Sequence, residues 1–206
     1  EAEIRELRDH EVYCKVIERR QADGEPKHRV WIAQGLPKAD KMETVVQKCT
    51  ELGAARFIPF SSSRTVVRYD EKQAAKRVER WRKIAKEAAE QAHRGKIPEI
   101  ASPVTWPELV KLAAKADIAF LLYEQTRHAS FKAALRRALA AFGPADRALD
   151  VLIVTGPEGG IAPEEALSAQ NAGFIPVGLG NRILRTETAA MAALTCFLYE
   201  TDEMGG

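Results

Sequence analysis

A chain of 206 residues, 46% hydrophobic and 29% charged, is large enough for one full core plus a fragment of a second domain, and its make-up is that of a soluble globular protein. It lacks an apolar run of the roughly 20 residues needed to cross a bilayer, and Cys14, Cys49 and Cys196 are too scattered for a disulfide framework or a zinc site. The net charge of +2 conceals an asymmetry, because the stretch from Arg64 to Lys96 holds eleven Lys/Arg against five Asp/Glu and so carries +6, leaving −4 elsewhere.

The chain opens Glu1-Ala2-Glu3-Ile4-Arg5, with no basic stretch leading into an apolar one and no initiator Met. No signal peptide is expected, and the chain reads as trimmed or truncated at its start. Three small buried thiols, a reducing cytoplasmic setting and no membrane partner fit the composition. Glu11 to Arg19 alternates and predicts a strand, Gln21 to Pro26 a turn or linker, and Arg29 to Ala33 a second strand. Met42, Val45, Val46, Cys49 and Leu52 follow helical spacing, which predicts a helix over about Ala39 to Leu52 ended by Gly53. Arg56 to Phe60 is a short strand. A long helix is expected from Glu71 to Arg94, with Ala74, Val78, Trp81, Ala85, Ala88 and Ala92 on one face and Gly95 and Pro98 beyond its end. A shorter helix covers Pro107 to Lys115.

The remainder alternates cleanly. Strands are expected over Asp117 to Tyr123, Leu149 to Thr155 and Phe174 to Val177. Helices are expected over Ser130 to Phe142, ended by Gly143-Pro144, over Pro163 to Ala172, with Gly173 beyond its end, and over Thr186 to Glu200. Strands that are apolar throughout and separated by helices imply an α/β fold with a parallel sheet covered on both faces. Ligands of such sheets bind at the carboxyl ends of the strands.

Two strand-to-helix loops carry the chemistry. Thr155-Gly156-Pro157-Glu158-Gly159-Gly160 has little side-chain bulk, so its backbone can approach a flat ligand; a tight turn needing positive φ explains the glycines equally well. It matches neither a dinucleotide fingerprint nor a P-loop, and Glu164 and Glu165 in the next helix disfavour a triphosphate. The second loop runs from Gly178 to Thr188. Thr186 fits as a helix N-cap and Glu187 suits the helix dipole. Arg182 and Arg185 have no such local role; they suit a phosphate, a base edge or a salt bridge across a dimer.

In these loops GPEGG-I-x-P-E-E is followed by GF-x-x-V-x-LG-x-R-ILRTETA. Together they closely resemble the RsmE-type 16S ribosomal RNA uridine-N3 methyltransferases of the SPOUT superfamily. Upstream, Lys41-Met42-Glu43 with Gln47 to Gly53 is similar to that family's K-M-E-x-x-x-Q-K-x-x-E-L-G helix. Ser62-Ser63-Arg64 is similar to its S-x-R segment, and Glu90 to Arg94 followed by Ile97 to Ile100 to its E-Q-x-x-R…P-x-I stretch. The similarity covers about Lys38 to the C-terminus.

The resemblance implies a mostly parallel SPOUT-type sheet with a C-terminal trefoil knot, which no periodicity would suggest. It implies a homodimer, with S-adenosyl-L-methionine in the knot and 16S ribosomal RNA or the small ribosomal subunit as partner. The final helix, apolar nearly all round, fits burial against a partner subunit or within a core. Residues 1–27 would be the remnant of an N-terminal PUA-like β-barrel with its linker, and 28–206 the methyltransferase domain. Backbone groups of Leu122, Tyr123, Thr155, Gly156, Pro157, Glu158, Gly159, Gly160, Leu179, Gly180, Arg182, Ile183 and Leu184 would cradle the cofactor.

Uracil N3 is a weakly acidic imide nitrogen, so negative charge develops on the ring as it is methylated. Arg185 is expected to stabilise that charge, and Glu187 to orient it or assist proton transfer; the alternative is that both only pin the loop. Lys72, Lys76, Arg77, Arg80, Lys83 and Lys86 form the candidate RNA track, with Arg64 and Arg68 nearer the active site and Arg94 at the far end. His10, His28, His93 and His128 lack metal-ligand spacing, and no metal is expected. Trp31, Trp81 and Trp106 read as core or domain contacts. Other readings are a tRNA ribose 2′-O-methyltransferase of the same superfamily, a non-catalytic ribosome-assembly module that binds RNA, and a phosphate-binding α/β protein.

Overall fold

The computed structural model describes residues 1–20, 24–126, 129–143 and 147–205; Gln21, Ala22 and Asp23 of the expected linker, His128 and Pro144 lie outside them. Strands β1 (Ala2–Arg8) and β2 (Glu11–Val16) pair antiparallel as a two-stranded sheet of their own. Both faces of this hairpin are exposed, including Ile4, Leu7, Val12 and Val16.

A seven-stranded parallel sheet organises the rest. Its strands are β3 (Arg29–Gly35), β4 (Arg56–Ser61), β5 (Glu99–Ile100), β6 (Val104–Thr105), β7 (Ile118–Leu122), β8 (Asp150–Thr155) and β9 (Ile175–Val177). The order is β5-β4-β3-β8-β7-β9, with β6 also paired to β4. Helices α1 (Lys41–Leu52), α2 (Glu71–Gln91), α3 (Trp106–Leu112), α4 (Phe131–Ala141), α5 (Pro163–Asn171) and α6 (Thr186–Glu200) cover it.

Side chains alternate across each strand. Val30, Ile32, Phe120, Val151 and Ile153 meet Val46 and Cys49 of α1, Trp81 of α2, Leu135 of α4 and Leu194 and Phe197 of α6. Ala33, Ile58, Leu121, Leu152 and Val154 face the other way, onto Leu109 of α3 and Ala166 and Ala169 of α5. The strand order grows outward from β3 in one direction and from β8 in the other. The β3–β8 junction is therefore the topological switch point, where the loops diverge and leave a crevice.

Several elements differ from the sequence expectation. Helix α1 begins at Lys41 because Ala39 takes a left-handed conformation, φ 54°. Helix α2 stops at Gln91, three residues before Arg94, because His93 is also left-handed at φ 54°. There His93 N–H donates to Glu90 O and Arg94 N–H to Ala89 O, closing the helix end and turning Arg94 inward. β5 and β6 are two residues each, too short to carry a period, and β1 is a strand where none is expected from the sequence. Of the three cysteines only Cys49 is buried, which raises its thiol to about 12. Cys14 and Cys196 are exposed, the first on the uncovered hairpin and the second on the outer side of α6. Trp81 and Trp106 are core residues. Among the described residues no helix is long and apolar enough to cross a membrane.

Candidate active site

At the carboxyl ends of β7, β8 and β9 lies a cavity of about 380 Å³. Small-molecule sites fall in this range. Leu122 and Tyr123 form one wall, Thr155 to Glu158 with Gly160 and Ile161 a second, and Val177 to Gly180 with Arg182 to Thr186 a third. Lys41, Glu124 and Ala189 complete it. Apolar side chains thus alternate with the backbone of two glycine-rich turns.

The turn after β8 is compact for a local reason. Gly160 N–H donates to Pro157 O at 2.8 Å, and Gly160 itself sits at φ +71°. The end of β3 presses on it from behind: a Cβ on Gly35 would lie 2.5 Å from Pro157 N and 2.9 Å from Gly156 C. Both atoms are backbone and cannot rotate away. Gly35→Ala is expected to cost about 1–3 kcal/mol by overpacking, which differential scanning calorimetry would read as a melting point lower by roughly 3–10 °C.

The two loops are tied to each other. Thr186 Oγ1 donates to Gly156 O at 2.6 Å and accepts from Gln34 Nε2 at 2.7 Å, all buried. Thr186 is therefore the first residue of α6 and a cross-brace, while Arg185, not Thr186, occupies the N-cap position. The Arg185 side chain makes no cap bond and, among the described residues, no hydrogen bond or ion pair, while its carbonyl accepts from Ala189 N–H at 2.9 Å. Its guanidinium is left exposed at the cavity, as is that of Arg182.

A charge cluster joins the turn to α1. Glu158 accepts from Lys41 Nζ at 2.7 Å and from Lys38 N–H at 3.1 Å. Burial pushes the Glu158 carboxyl up, but these donors outweigh it and hold the group below its ordinary 4.5. The attachment is thus fully present above pH 4.5 and is lost as pH falls through the lowered value. Below pH 4.5 the melting temperature of the wild type is expected to fall more steeply than that of Glu158→Gln, which cannot ionise. Glu187 lies on the far side of Lys41, its Oε2 3.9 Å from Nζ. It is not among the residues that line the cavity and, among the described residues, forms no hydrogen bond or ion pair with Arg185; the cation it lies near is Lys41.

Behind the turn, Ser63 N–H donates to the buried Glu165, and Arg64 Nη1 to Gly159 O at 3.2 Å. Gly159 therefore backs onto Arg64 and is not part of the cavity wall, unlike the other expected cofactor residues. Arg68, Lys72, Lys76 and Lys83 are exposed and make no ion pair among the described residues. Arg77 and Arg80 both pair with Glu43, which offsets part of the basic stripe. Arg94 is not a surface residue: its side chain is 3% exposed, pairs with Glu25 and donates to Thr50 O and Ala54 O. Lys41, Glu124 and Ile161 were missed as cavity residues. Glu124 and Ile161 flank segments already singled out, so one more residue on each side would have found them. Lys41 lies more than a hundred residues away in sequence, and only the β3–β8 pairing brings it there.

The family model described as RNA methyltransferase domain matches residues 24–198. Ribosomal RNA small subunit methyltransferase E of Bacillus subtilis is 39% identical over 99% of this chain and 78% of its own length. The chain belongs to the ribosomal RNA small subunit methyltransferase E family. The Mycobacterium tuberculosis member is 35% identical over 80% of the chain, a match that spans 61% of that protein. Among solved structures, the Neisseria gonorrhoeae methyltransferase E bound to S-adenosyl methionine superposes with a TM-score of 0.81 at 27% identity, over 97% of this chain and 77% of that one. A Legionella pneumophila protein solved with the cofactor SAM gives 0.83 at 31%, again over 97% and 77%.

Proposed function

We propose that this chain transfers a methyl group from S-adenosylmethionine to N3 of a uridine in 16S ribosomal RNA. The observation that carries the reading is the cavity between two braced glycine-rich loops, in a chain whose Neisseria relative of the same fold is bound to S-adenosyl methionine. The residues present suit that ligand. Thr155 Oγ1 is buried at the cavity with no hydrogen-bond partner, and a nucleoside would give it one. Glu124 and Glu158 line the cavity together with Arg182 and Arg185, which suits a ligand carrying both an ammonium and a carboxylate.

When bound, the cofactor supplies an electrophilic methyl on a sulfonium. The protein must hold uridine N3 behind that methyl, let the N3 proton pass to solvent, shield the sulfonium from water and stabilise the anion that N3 becomes. Arg185 is our choice for the last role, since its side chain pins nothing within the chain. Backbone of Leu122, Tyr123, Thr155 to Glu158, Gly160 and Leu179 to Leu184 would hold the cofactor. Arg68, Lys72, Lys76 and Lys83 would track the RNA backbone, with binding that weakens steeply with salt.

We further infer a homodimer, supported by the exposed Tyr199 and Cys196 on α6 and Ile183 at its entry. A threaded C-terminus is supported by the return of α6 from the sheet edge at β9 to pack on α1. Residues 1–27 read as part of a separate RNA-binding domain, since the hairpin pairs with no strand of the main sheet.

Calorimetric titration with S-adenosylmethionine, S-adenosylhomocysteine and ATP tests the cavity. Nucleoside analysis of 16S RNA after incubation with enzyme and cofactor tests the product. Saturable binding of the two sulfur ligands alone, together with N3-methyluridine, is expected. A 2′-O-methylated nucleoside, or RNA binding without cofactor binding, would overturn the reading.

A further inference from the structure

We infer that Lys41 is a base-recognition residue of the transfer site, one that accepts uracil and rejects cytosine. The inference rests on the methyltransferase reading above. Lys41 is the first residue of α1, where the helix dipole disfavours a cation. Helix formation therefore gives no reason for a lysine there. The residue nevertheless lines the cavity, with a side chain only 30% exposed.

Two carboxylates lie beside it. Glu158 Oε1 is 2.7 Å from Nζ, and Glu187 Oε2 is 3.9 Å away, buried and without a hydrogen-bond partner of its own. Glu187 Oε2 has no path to the cavity, so Lys41, not Glu187, presents the polar group at this point of the wall. An ammonium has three donors and no acceptor. Glu158 takes one and Glu187 lies beyond hydrogen-bond distance, which leaves donor capacity for a ligand in the cavity.

Base chemistry gives that donor a use. N3 of uracil is flanked by two carbonyl acceptors, O2 and O4. Cytosine presents an amino donor in place of O4. The cavity wall carries three cations, Lys41, Arg182 and Arg185, and of these Arg185 and Lys41 are taken to address the ring, with Glu158 fixing the position of Lys41. Two donors flanking N3 match uracil on both sides and also share the charge that builds on its carbonyls. A donor facing the amino group of cytosine would be left unpaired, and a site built this way discriminates strongly.

The test compares wild type, Lys41→Met and Lys41→Arg on RNA carrying uridine or cytidine at the target position, with S-adenosylmethionine affinity and melting temperature measured on each. Lys41→Met is expected to lower turnover at saturating cofactor on the order of 100-fold, and to narrow the preference for uridine over cytidine. Cofactor affinity should stay within about threefold, and Lys41→Arg should restore part of the turnover, since it keeps the donor. If Lys41→Met instead loses cofactor affinity and melting temperature while turning over normally at saturation, Lys41 only anchors Glu158 and the inference fails. Should the wild type itself neither bind the cofactor nor methylate RNA, it is the methyltransferase reading that falls.

Discussion

Arg94→Ala is expected to destabilise the fold by about 3–5 kcal/mol, the cost of removing one partner from a buried ion pair. The Arg94 guanidinium links three segments that are remote in sequence. Nη1 bonds Thr50 O at 3.0 Å and Ala54 O at 2.7 Å, where α1 gives way to β4, while Nη2 bonds Glu25 at 2.9 Å. Truncation leaves two carbonyls and a carboxylate short of donors. Burial alone would raise the Glu25 carboxyl, and it is Arg94 first, then the Lys96 N–H, that brings it below its ordinary value. Lysine cannot serve, because one ammonium does not span this fan of acceptors. Denaturant unfolding reads the effect as a lower midpoint with an unchanged slope. RNA affinity of the folded variant should stay near wild type. A variant of normal stability that lost RNA binding would return Arg94 to the RNA track.

Arg185→Ala is expected to lower methyl transfer by about 100- to 1,000-fold with little change in cofactor affinity, the loss produced when one donor to a developing anion is removed. The side chain is exposed at the cavity, caps nothing and is bonded to nothing among the described residues. Its deletion should therefore leave the melting temperature unchanged. Single-turnover rates at saturating cofactor and RNA isolate the chemical step from binding. Full turnover in this variant would remove Arg185 from the mechanism and leave Lys41 and Arg182 as the cations of the cavity wall.

Much of this molecule could be read from its residues in order, where the information is local. The runs at Ile118–Leu122 and Asp150–Thr155 are buried on both faces, and their composition says so. The two glycine-rich loops do meet at one cavity, as strand ends in a parallel sheet require. What stayed hidden depends on distant partners. Arg94 looks like one more cation of a basic stripe until His93 turns it inward onto Thr50 and Ala54. Thr186 looks like a cap, yet its hydroxyl is committed to Gly156 and Gln34. Lys41 looks like an ordinary helix residue, because nothing in its neighbourhood along the chain announces Glu158 and Glu187. Left-handed Ala39 and His93 shift two helix ends, and neither residue type advertises that conformation.

The brace at Thr186 also dictates when the cavity can exist. Its hydroxyl closes contacts with residues 30 and 152 positions earlier, so the two glycine-rich loops are not braced to each other until the last helix has arrived. Contacts of such sequence separation form slowly, because the entropy of closing long loops must be lost before the bonds are gained. During synthesis, most of the sheet can assemble while the ligand site is still incomplete. A ligand that recognises only the finished cavity then draws the equilibrium toward the closed fold by mass action. For this chain, acquiring the ability to bind and finishing folding are the same late event.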